Sequence, residues 1–303
     1  MGIPILLICF KRPGTFFEVL KSLRGIDHPV YVWVDGAKTD ADSALANQCL
    51  DLIARELTLN VVKIKKNDLN FGNAKSIPTA IDWVFNFVDQ VIIIEDDVIL
   101  SKDFFPFAES VLNLHKHNSK VAGVSALNSV PKNFISEPDL PFRYSTYASV
   151  WGWAINKESW NELRELLLSR IPVIKAFPPS ARNFAAKLRW QGHLSRIEEN
   201  LPVSWDYRLQ LALFSLEKYF VVTNCNYSLN VGFGKGATNT RNRPQWVPSE
   251  YGKSIPFPIN FKQRLRQDFK ADNWVAKRMH HTKNAYWLKT RSRRFFHQIV
   301  KPN

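Results

Sequence analysis

The stretch Val91-Ile92-Ile93-Ile94-Glu95-Asp96-Asp97-Val98-Ile99-Leu100 runs from four aliphatic side chains directly into three carboxylates. A continuous apolar run predicts a β-strand that is buried on both faces, as strands of parallel sheets are. The acids that follow it are then expected at the carboxyl edge of that sheet, where open α/β folds bind their ligands.

Three adjacent negative charges at such an edge predict a bound cation. Oxygen ligands without His or Cys favour Mn²⁺ or Mg²⁺, and these ions are commonly shared with the phosphates of a substrate. The triplet therefore predicts a metal site for a diphosphate-bearing ligand. The alternative is a solvated junction between a strand and a loop, and the triplet alone does not decide between the two.

Strand and helix patterns alternate through the first hundred residues. This order predicts an α/β fold with a mostly parallel central sheet and right-handed crossovers. It also places Arg12, Asp35 and the acidic triplet at one edge, at the ends of three strands. Pro78 is best tolerated in the first turn of a helix, so we expect Gly72–Lys75 to be a loop. Neither a dinucleotide fingerprint nor a P-loop is present.

The composition is that of a globular protein able to bury a large core, with 303 residues of which 45% are hydrophobic. No apolar run approaches the roughly 18 residues of a membrane span, and the first residues lack a basic leader. We therefore expect a cytoplasmic protein. Its three cysteines are odd in number and widely spaced, which predicts reduced thiols.

Most of the net charge of +14 lies near the end of the chain. Residues 261–303 contain twelve Lys and Arg side chains but only two acids, and aromatic residues are interleaved with them. Such a tail suits the anionic inner face of a membrane, where the protein would be peripheral. A helical cap docked on the core, with a solvated basic face, fits equally well. No nucleic-acid motif accompanies the charge, so no nucleic-acid partner is expected.

The second half predicts further strands and helices around two unusual segments. Residues 171–203 are rich in Pro and Arg and are interpreted as an insertion. Residues 230–241 form a glycine-rich loop that can approach a phosphate closely. We expect a catalytic domain over residues 1–245, with a nucleotide-binding half (1–100) and an acceptor half (101–245) that contains the insertion. A basic aromatic extension then covers residues 246–303.

Taken in order, these motifs resemble the GT-A class of nucleotide-sugar glycosyltransferases, which has a Rossmann-like fold. The Glu-Asp-Asp form of the triplet, followed by Phe104-Phe105, is similar to the N-acetylglucosaminyltransferase I family and its bacterial relatives. The resemblance covers about residues 3–240. The motifs that carry it are Arg12, Asp35, Glu95-Asp96-Asp97, Trp151-Gly152-Trp153, Ser204-Trp205-Asp206-Tyr207-Arg208 and Asn230-Val231-Gly232-Phe233-Gly234.

The resemblance implies a nucleotide diphosphate-sugar donor, with UDP as the expected nucleotide, and transfer with inversion assisted by Mn²⁺ or Mg²⁺. Asp97 would ligate the metal, and Glu95 and Asp96 would contact sugar or ribose hydroxyls. Arg12 and Asp35 would hold the nucleoside. Asp206 would be the catalytic base that removes the proton of the acceptor hydroxyl.

Four more residues are candidates for donor binding. Either Trp151 or Trp153 would line the sugar pocket, because Gly152 between them suggests a close approach of the backbone. Many bacterial relatives have a Thr-His pair after the glycine loop, where this chain has Thr238-Asn239-Thr240. Lys235 or Arg241 would then neutralise the phosphates instead.

The expected acceptor is a glycan or a lipid-linked glycan in the assembly of surface polysaccharide. Two other functions stay open. A sugar-phosphate nucleotidyltransferase would share the fold, but the Gly-rich, Arg-bearing loop after the first strand is missing. A catalytically inactive membrane-binding or polyanion-binding protein would explain the tail, but it would not need the acidic triplet together with Asp206.

Overall fold

The computed structural model describes residues 2–168, 177–178, 184–234, 242–253 and 264–280 of the chain. The strands are β1 Ile5–Cys9, β2 Pro29–Val34, β3 Asn60–Lys66, β4 Gln90–Glu95, β5 Val98–Leu100, β6 Val121–Ser125, β7 Phe142–Ser145, β8 Trp153–Asn156, β9 Tyr219–Thr223 and β10 Ser228–Asn230. The helices are α1 Pro13–Ser22, α2 Asp40–Arg55, α3 Asn73–Val84, α4 Phe104–Leu114, α5 Lys157–Leu168, α6 Phe184–Glu198, α7 Trp205–Ser215 and α8 Phe269–Arg278. A 3₁₀ turn covers Lys132–Phe134.

Eight of these strands form one sheet in the order β3-β2-β1-β4-β8-β6-β9-β7. Strands β1 to β4 are parallel to their neighbours among themselves, and β6 is parallel to β9. Strand β8 is antiparallel to both β4 and β6, and β7 is antiparallel to β9. The predicted α/β fold with a mostly parallel, Rossmann-like central sheet is confirmed.

The central strands are buried on both faces because helices cover both sides of the sheet. Along β1, Ile5 and Leu7 pack in the same apolar cluster as Phe16 of α1, whereas Leu6 and Ile8 pack in a second cluster. The second cluster also contains buried side chains of α3, such as Ile81, and of α7, such as Leu209. The same alternation explains why the aliphatic run of β4 has no polar face.

The acidic stretch turns sharply after its aliphatic half. β4 ends at Glu95, Asp96 and Asp97 form a turn, and the chain continues as β5. β5 leaves the large sheet and pairs with β10 in an antiparallel two-stranded sheet. We call Glu95, Asp96 and Asp97 the acidic turn.

Helix α3 begins earlier than expected, so the predicted loop over Gly72–Lys75 is wrong. Gly72 has a φ of 68° at the N-cap, and its carbonyl oxygen accepts the backbone N–H of Ser76 at 2.7 Å. Pro78 therefore lies inside the helix and is buried. The helix tolerates it because only one backbone hydrogen bond is lost, while the ring is buried against the core.

Parts of the predicted extension 246–303 pack onto the rest of the chain. Buried residues of α8 share an apolar cluster with Trp190 of α6 and Phe214 of α7. Helix α6 belongs to the segment 171–203 that was predicted as an insertion. The domain boundaries stay predictions, and the tail beyond residue 280 lies outside the described residues.

No helix in the described part of the chain is both long and apolar enough to cross a bilayer.

Candidate functional site

The ends of three parallel strands bring the candidate residues to one edge of the sheet. In the strand register Ile8 lies opposite Glu95, and Cys9 lies opposite Val34. Arg12, Asp35 and the acidic turn follow directly after these strand ends. The sequence order alone predicted this arrangement, since parallel strands share a carboxyl edge.

Arg12 bridges two carboxylates of the acidic turn. Its Nη1 donates to Asp97 Oδ2 at 2.8 Å, and its Nη2 donates to Asp96 Oδ1. The backbone N–H of Phe10 also donates to Asp96, at 3.2 Å. Burial lowers the pKa of Arg12, but the carboxylates of Asp96 and Asp97 raise it by more, so the guanidinium stays charged. The guanidinium of Arg12 thus pairs with the same carboxylates that the sequence predicts as a metal site.

The acidic turn is crowded with negative charge. Burial, together with the charge of Asp97, raises the pKa of Asp96 to about 6 against the opposing effect of Arg12. Burial also raises the pKa of Glu95, and the charges of Asp97, Asp96 and Asp206 add to that shift. Asp206, in the first turn of α7, is therefore close enough to Glu95 for its charge to act on that carboxyl group.

The first residues of the glycine-rich loop lie against the acidic turn. The backbone N–H of Val231 donates to the carbonyl oxygen of Asp97 at 2.8 Å, just beyond the pairing of β10 with β5. A β-carbon built on Gly232 would lie 2.0 Å from Asp97 Oδ2. Only glycine lets the backbone approach this carboxylate so closely.

An aromatic group borders the same loop. The half-buried ring of Trp151 stacks on Trp246, with centroids 5.4 Å apart and an interplanar angle of 23°. Phe233 meets Trp151 edge-on at 6.1 Å. Trp246 was missed because the sequence assigns it to the extension, and nothing in its local pattern connects it with the glycine loop.

Trp153 does not line the crevice, which corrects its prediction as a donor-binding residue. Its side chain is 0% exposed and packs against Trp205, Trp160 and Phe220. The close approach expected at Gly152 is present, because a β-carbon there would lie 2.3 Å from a side-chain atom of Leu100. The glycine brings the backbone against β5, and Trp153 then enters the core with β8.

The carboxylate of Asp35 holds a neighbouring loop. Its Oδ1 accepts the N–H groups of Gly36 and Phe71, and its Oδ2 accepts from Gly72 N and Asn70 Nδ2. The side chain is buried. Asp35 therefore fixes the start of α3, and its contact with a nucleoside stays a prediction.

The residues present fit a divalent ion that is bound together with a phosphate-bearing ligand. The described residues contain no group of three or more His, Cys, Asp or Glu side chains arranged around a metal. Mg²⁺ and Mn²⁺ need only one or two protein carboxylates when substrate phosphates supply the other ligands. Asp97, whose side chain is 15% exposed, offers one such carboxylate. Lys235 and Arg241, predicted to contact the phosphates, lie outside the described residues.

Residues 28–167 match the GNT-I family. This stretch of the chain is similar to that family. The predicted resemblance is confirmed, and the matched region contains Asp35, the acidic turn and Trp151. Arg12 and Asp206 lie outside the GNT-I match and are placed by the structure alone.

Two further comparisons give relatives of this GNT-I-like chain. An alpha-1,3-mannosyl-glycoprotein 2-beta-N-acetylglucosaminyltransferase of Arabidopsis thaliana is 28% identical over 93 residues, which are 30% of this chain and 21% of that protein. This match spans about a fifth of the relative's length. A glucose-1-phosphate thymidylyltransferase structure from Bacillus anthracis is 16% identical with a TM-score of 0.33, over 54% of this chain and 75% of that one. A score this low carries no argument. The two sequence matches support the predicted enzyme class, a glycosyltransferase.

Proposed function

We propose that this chain is an inverting, metal-dependent glycosyltransferase that uses a nucleotide diphosphate-sugar, with UDP as the nucleotide. The observation that carries the proposal is the meeting of Arg12, the acidic turn and Asp206 at the carboxyl edge of a GNT-I-like sheet. A crevice with one forked cation, a cluster of carboxylates and a glycine backbone suits a ligand that carries phosphates and hydroxyl groups.

Donor binding is assigned to residues of the first half, with Trp151 added from the second half. Asp97 holds Mn²⁺ or Mg²⁺, and when bound this ion stabilises the charge of the leaving diphosphate. Arg12, whose guanidinium lies beside Asp97, would hold the nucleoside together with Asp35. Glu95 and Asp96 accept hydrogen bonds from hydroxyl groups of the sugar and ribose. Trp151 contributes an aromatic wall beside the sugar.

Asp206 is proposed as the base. Inversion by a single displacement needs one carboxylate that takes the proton from the attacking hydroxyl. Asp206 lies in the first turn of α7, on the proposed acceptor half, and its charge acts on Glu95 of the acidic turn. The buried ring of Trp205 on Trp153 anchors this helix start in the core.

The acceptor is proposed to be a glycan or a lipid-linked glycan of a surface polysaccharide. The concentration of positive charge after residue 260 supports the proposal that the enzyme acts close to the cytoplasmic face of an anionic membrane. In this proposal residues 1–100 bind the nucleotide and residues 101–245 bind the acceptor.

The test combines donor binding and turnover. Thermal shifts are measured with UDP-, GDP-, dTDP- and CMP-sugars, each with Mn²⁺ and with EDTA, on the wild type, Asp97→Ala and Asp206→Asn. We expect one nucleotide to stabilise the wild type in the presence of Mn²⁺ only. Asp97→Ala should lose this shift. Asp206→Asn should keep the shift and lose turnover, measured as release of the nucleoside diphosphate.

Asp51→Asn is the matched control, because Asp51 is exposed on α2 away from the crevice. It should match the wild type in binding and turnover. If no donor shifts the wild type, or if Asp97→Ala binds as well as Asp51→Asn, the proposed donor site is wrong. Full turnover in Asp206→Asn would remove only the assignment of the base.

A further inference from the structure

A second cavity of about 370 Å³ opens between β7, the segment before α8 and the 3₁₀ turn. Two phenylalanines, Phe142 and Phe269, line it together with polar and charged residues. The polar and charged residues include Ser136, Arg143, Arg264, Arg266, Gln267 and Lys270. None of these residues belongs to the crevice described above.

The lining carries more positive than negative charge. Its four cations face two acids, Glu137 and Asp268. The carboxylate of Asp268 is already engaged, because it caps α8 through Lys270 N and Ala271 N and also accepts from Ser136 N and Oγ. Arg264, Arg266 and Lys270 are exposed, and none of them forms an ion pair with any residue that the structure describes.

Arg143 places a fixed charge in the wall of this cavity. Its side chain is 5% exposed and donates to three neutral oxygens: Thr223 O at 3.2 Å, Asn224 Oδ1 at 2.8 Å and Asn128 Oδ1 at 3.0 Å. Its Nε has no partner among the described residues. Burial lowers the pKa of Arg143, and the charges of Asp272 and Asp268 oppose this shift, although neither carboxylate forms an ion pair with Arg143 among the described residues. An anion bound beside the guanidinium would reduce the remaining cost of burying it.

The cavity lies on the same edge of the sheet as the acidic turn. Phe142 pairs with Thr223 at the carboxyl end of β9, and β9 runs in the same direction as β4. In the sheet order, β9 and β7 at the cavity lie three and four strand spacings from β4 at the acidic turn, which corresponds to about 14 to 19 Å. One extended ligand can therefore reach both sites.

We propose that this cavity binds a phosphate group carried by the acceptor, at a distance from the hydroxyl group that reacts. That the phosphate belongs to the acceptor rests on the proposed function, whereas the phosphate site itself rests on the residues that line the cavity. A phosphate with its two charges and several acceptor oxygens matches a lining of three arginines, a lysine and an amide.

The test is a titration of the protein with inorganic pyrophosphate. Calorimetry measures the binding, in EDTA and without any nucleotide-sugar donor. The proteins are the wild type, Arg264→Gln/Arg266→Gln, and the control Lys277→Gln/Arg278→Gln, which removes the same charge from the other end of α8. We expect the wild type and the control to bind equally, and the cavity variant to bind roughly tenfold more weakly. No binding to the wild type, or an equal loss in the control, would overturn the proposal.

Two further arms separate this site from the donor site and identify the source of the phosphate. Arg12→Gln should bind pyrophosphate as the wild type does, because Arg12 is the cation of the acidic turn and does not line this cavity. A loss of binding in this variant would place the probe in the donor crevice and overturn the proposal. Failure of the donor-binding test leaves this result untouched.

Vesicles of phosphatidylglycerol are then compared with vesicles of phosphatidylcholine. Binding to phosphatidylglycerol that needs Arg264 and Arg266 indicates a lipid headgroup. If pyrophosphate binding needs these two residues and vesicle binding does not, a phosphate carried on a glycan is indicated.

Discussion

The backbone of Gly232 lies directly against the side chain of Asp97, so that a β-carbon at position 232 would fall 2.0 Å from Asp97 Oδ2. The backbone N–H of the preceding residue, Val231, donates to the carbonyl oxygen of the same aspartate. The carboxylate proposed to hold the metal is therefore positioned by a loop that lies more than 130 residues further along the chain.

Substitution of Gly232 should damage donor binding more than folding. In Gly232→Ala the new methyl group displaces the carboxylate of Asp97, so we expect metal-dependent donor affinity to fall about tenfold or more. The same thermal-shift titration measures it. Gly14→Ala is the control, since a β-carbon at Gly14 meets nothing within 4 Å. Equal donor affinity in both variants would contradict the role of this contact.

Removal of the Arg12 guanidinium should destabilise the protein when no divalent ion is present. Arg12→Gln leaves Asp96 and Asp97 as buried, unpaired charges, which costs about 3 kcal/mol in the free energy of unfolding. Urea unfolding in EDTA measures this loss, and added Mn²⁺ should restore part of it. The control Lys11→Gln breaks the pair with Asp42, in which the Lys11 side chain is 40% exposed and the Asp42 side chain 11%, and it should cost less than about 1 kcal/mol.

Asp272 should be essential to the stability of the fold, although it is far from the acidic turn in the sheet order. It is 0% exposed and accepts hydrogen bonds from Ser145 Oγ, Thr146 N, Thr146 Oγ1 and Gln267 Nε2. Asp272→Ala leaves these donors unpaired, so we expect a loss of about 3 kcal/mol in urea unfolding. Glu158→Ala, an exposed acid at the start of α5, should change stability by less than about 1 kcal/mol.

His193 should make stability depend on pH below neutrality. Burial, followed by the charges of Arg189 and Arg196, lowers its pKa from the ordinary 6.5 to about 4. The unfolded chain then takes up a proton near pH 6.5 and the folded chain does not, so the free energy of unfolding falls as the pH drops through this window. We expect His193 to account for about 1 kcal/mol of the loss between pH 7 and pH 5, after allowance for its partial exposure.

His193→Phe tests this directly, because a phenyl ring can keep the stacking on Tyr207 that the imidazole makes at 4.2 Å. Urea unfolding at pH 7 and pH 5 should show a smaller difference for the variant than for the wild type. An unchanged pH dependence would show that other groups cause the acid loss.

The sheet edge was predictable from sequence because it depends on local patterns. An aliphatic run followed by three acids indicates a buried strand and the polar edge beyond it, and the alternation of strands and helices indicates a parallel sheet. These predictions need no knowledge of which distant residues meet. The carboxyl edge with Arg12 beside the acidic turn followed from them.

The errors occur where distant contacts override a local pattern. Pro78 suggested a late start for α3, but Asp35 holds Phe71 and Gly72 in place, and the helix begins at Asn73. Trp153 looked like a ligand contact beside Trp151, yet packing against Trp160 and Trp205 places it in the core. Trp246 stacks on Trp151, which lies almost a hundred residues earlier in the sequence. No local pattern in either segment predicts this contact.

The hydrogen bonds between β7 and α8 join residues 127 positions apart, as in the pair Ser145 and Asp272. Chains emerge from the ribosome from the N-terminus, at about 5 to 20 residues per second. The carboxylate of Asp272, which accepts hydrogen bonds from Ser145 and Thr146, is thus made well after β7. Until it arrives, the end of the sheet at β7 is incomplete and its apolar neighbours Trp190 and Phe214 lack their cover. Nascent chains that stop before residue 272 should therefore depend on chaperones.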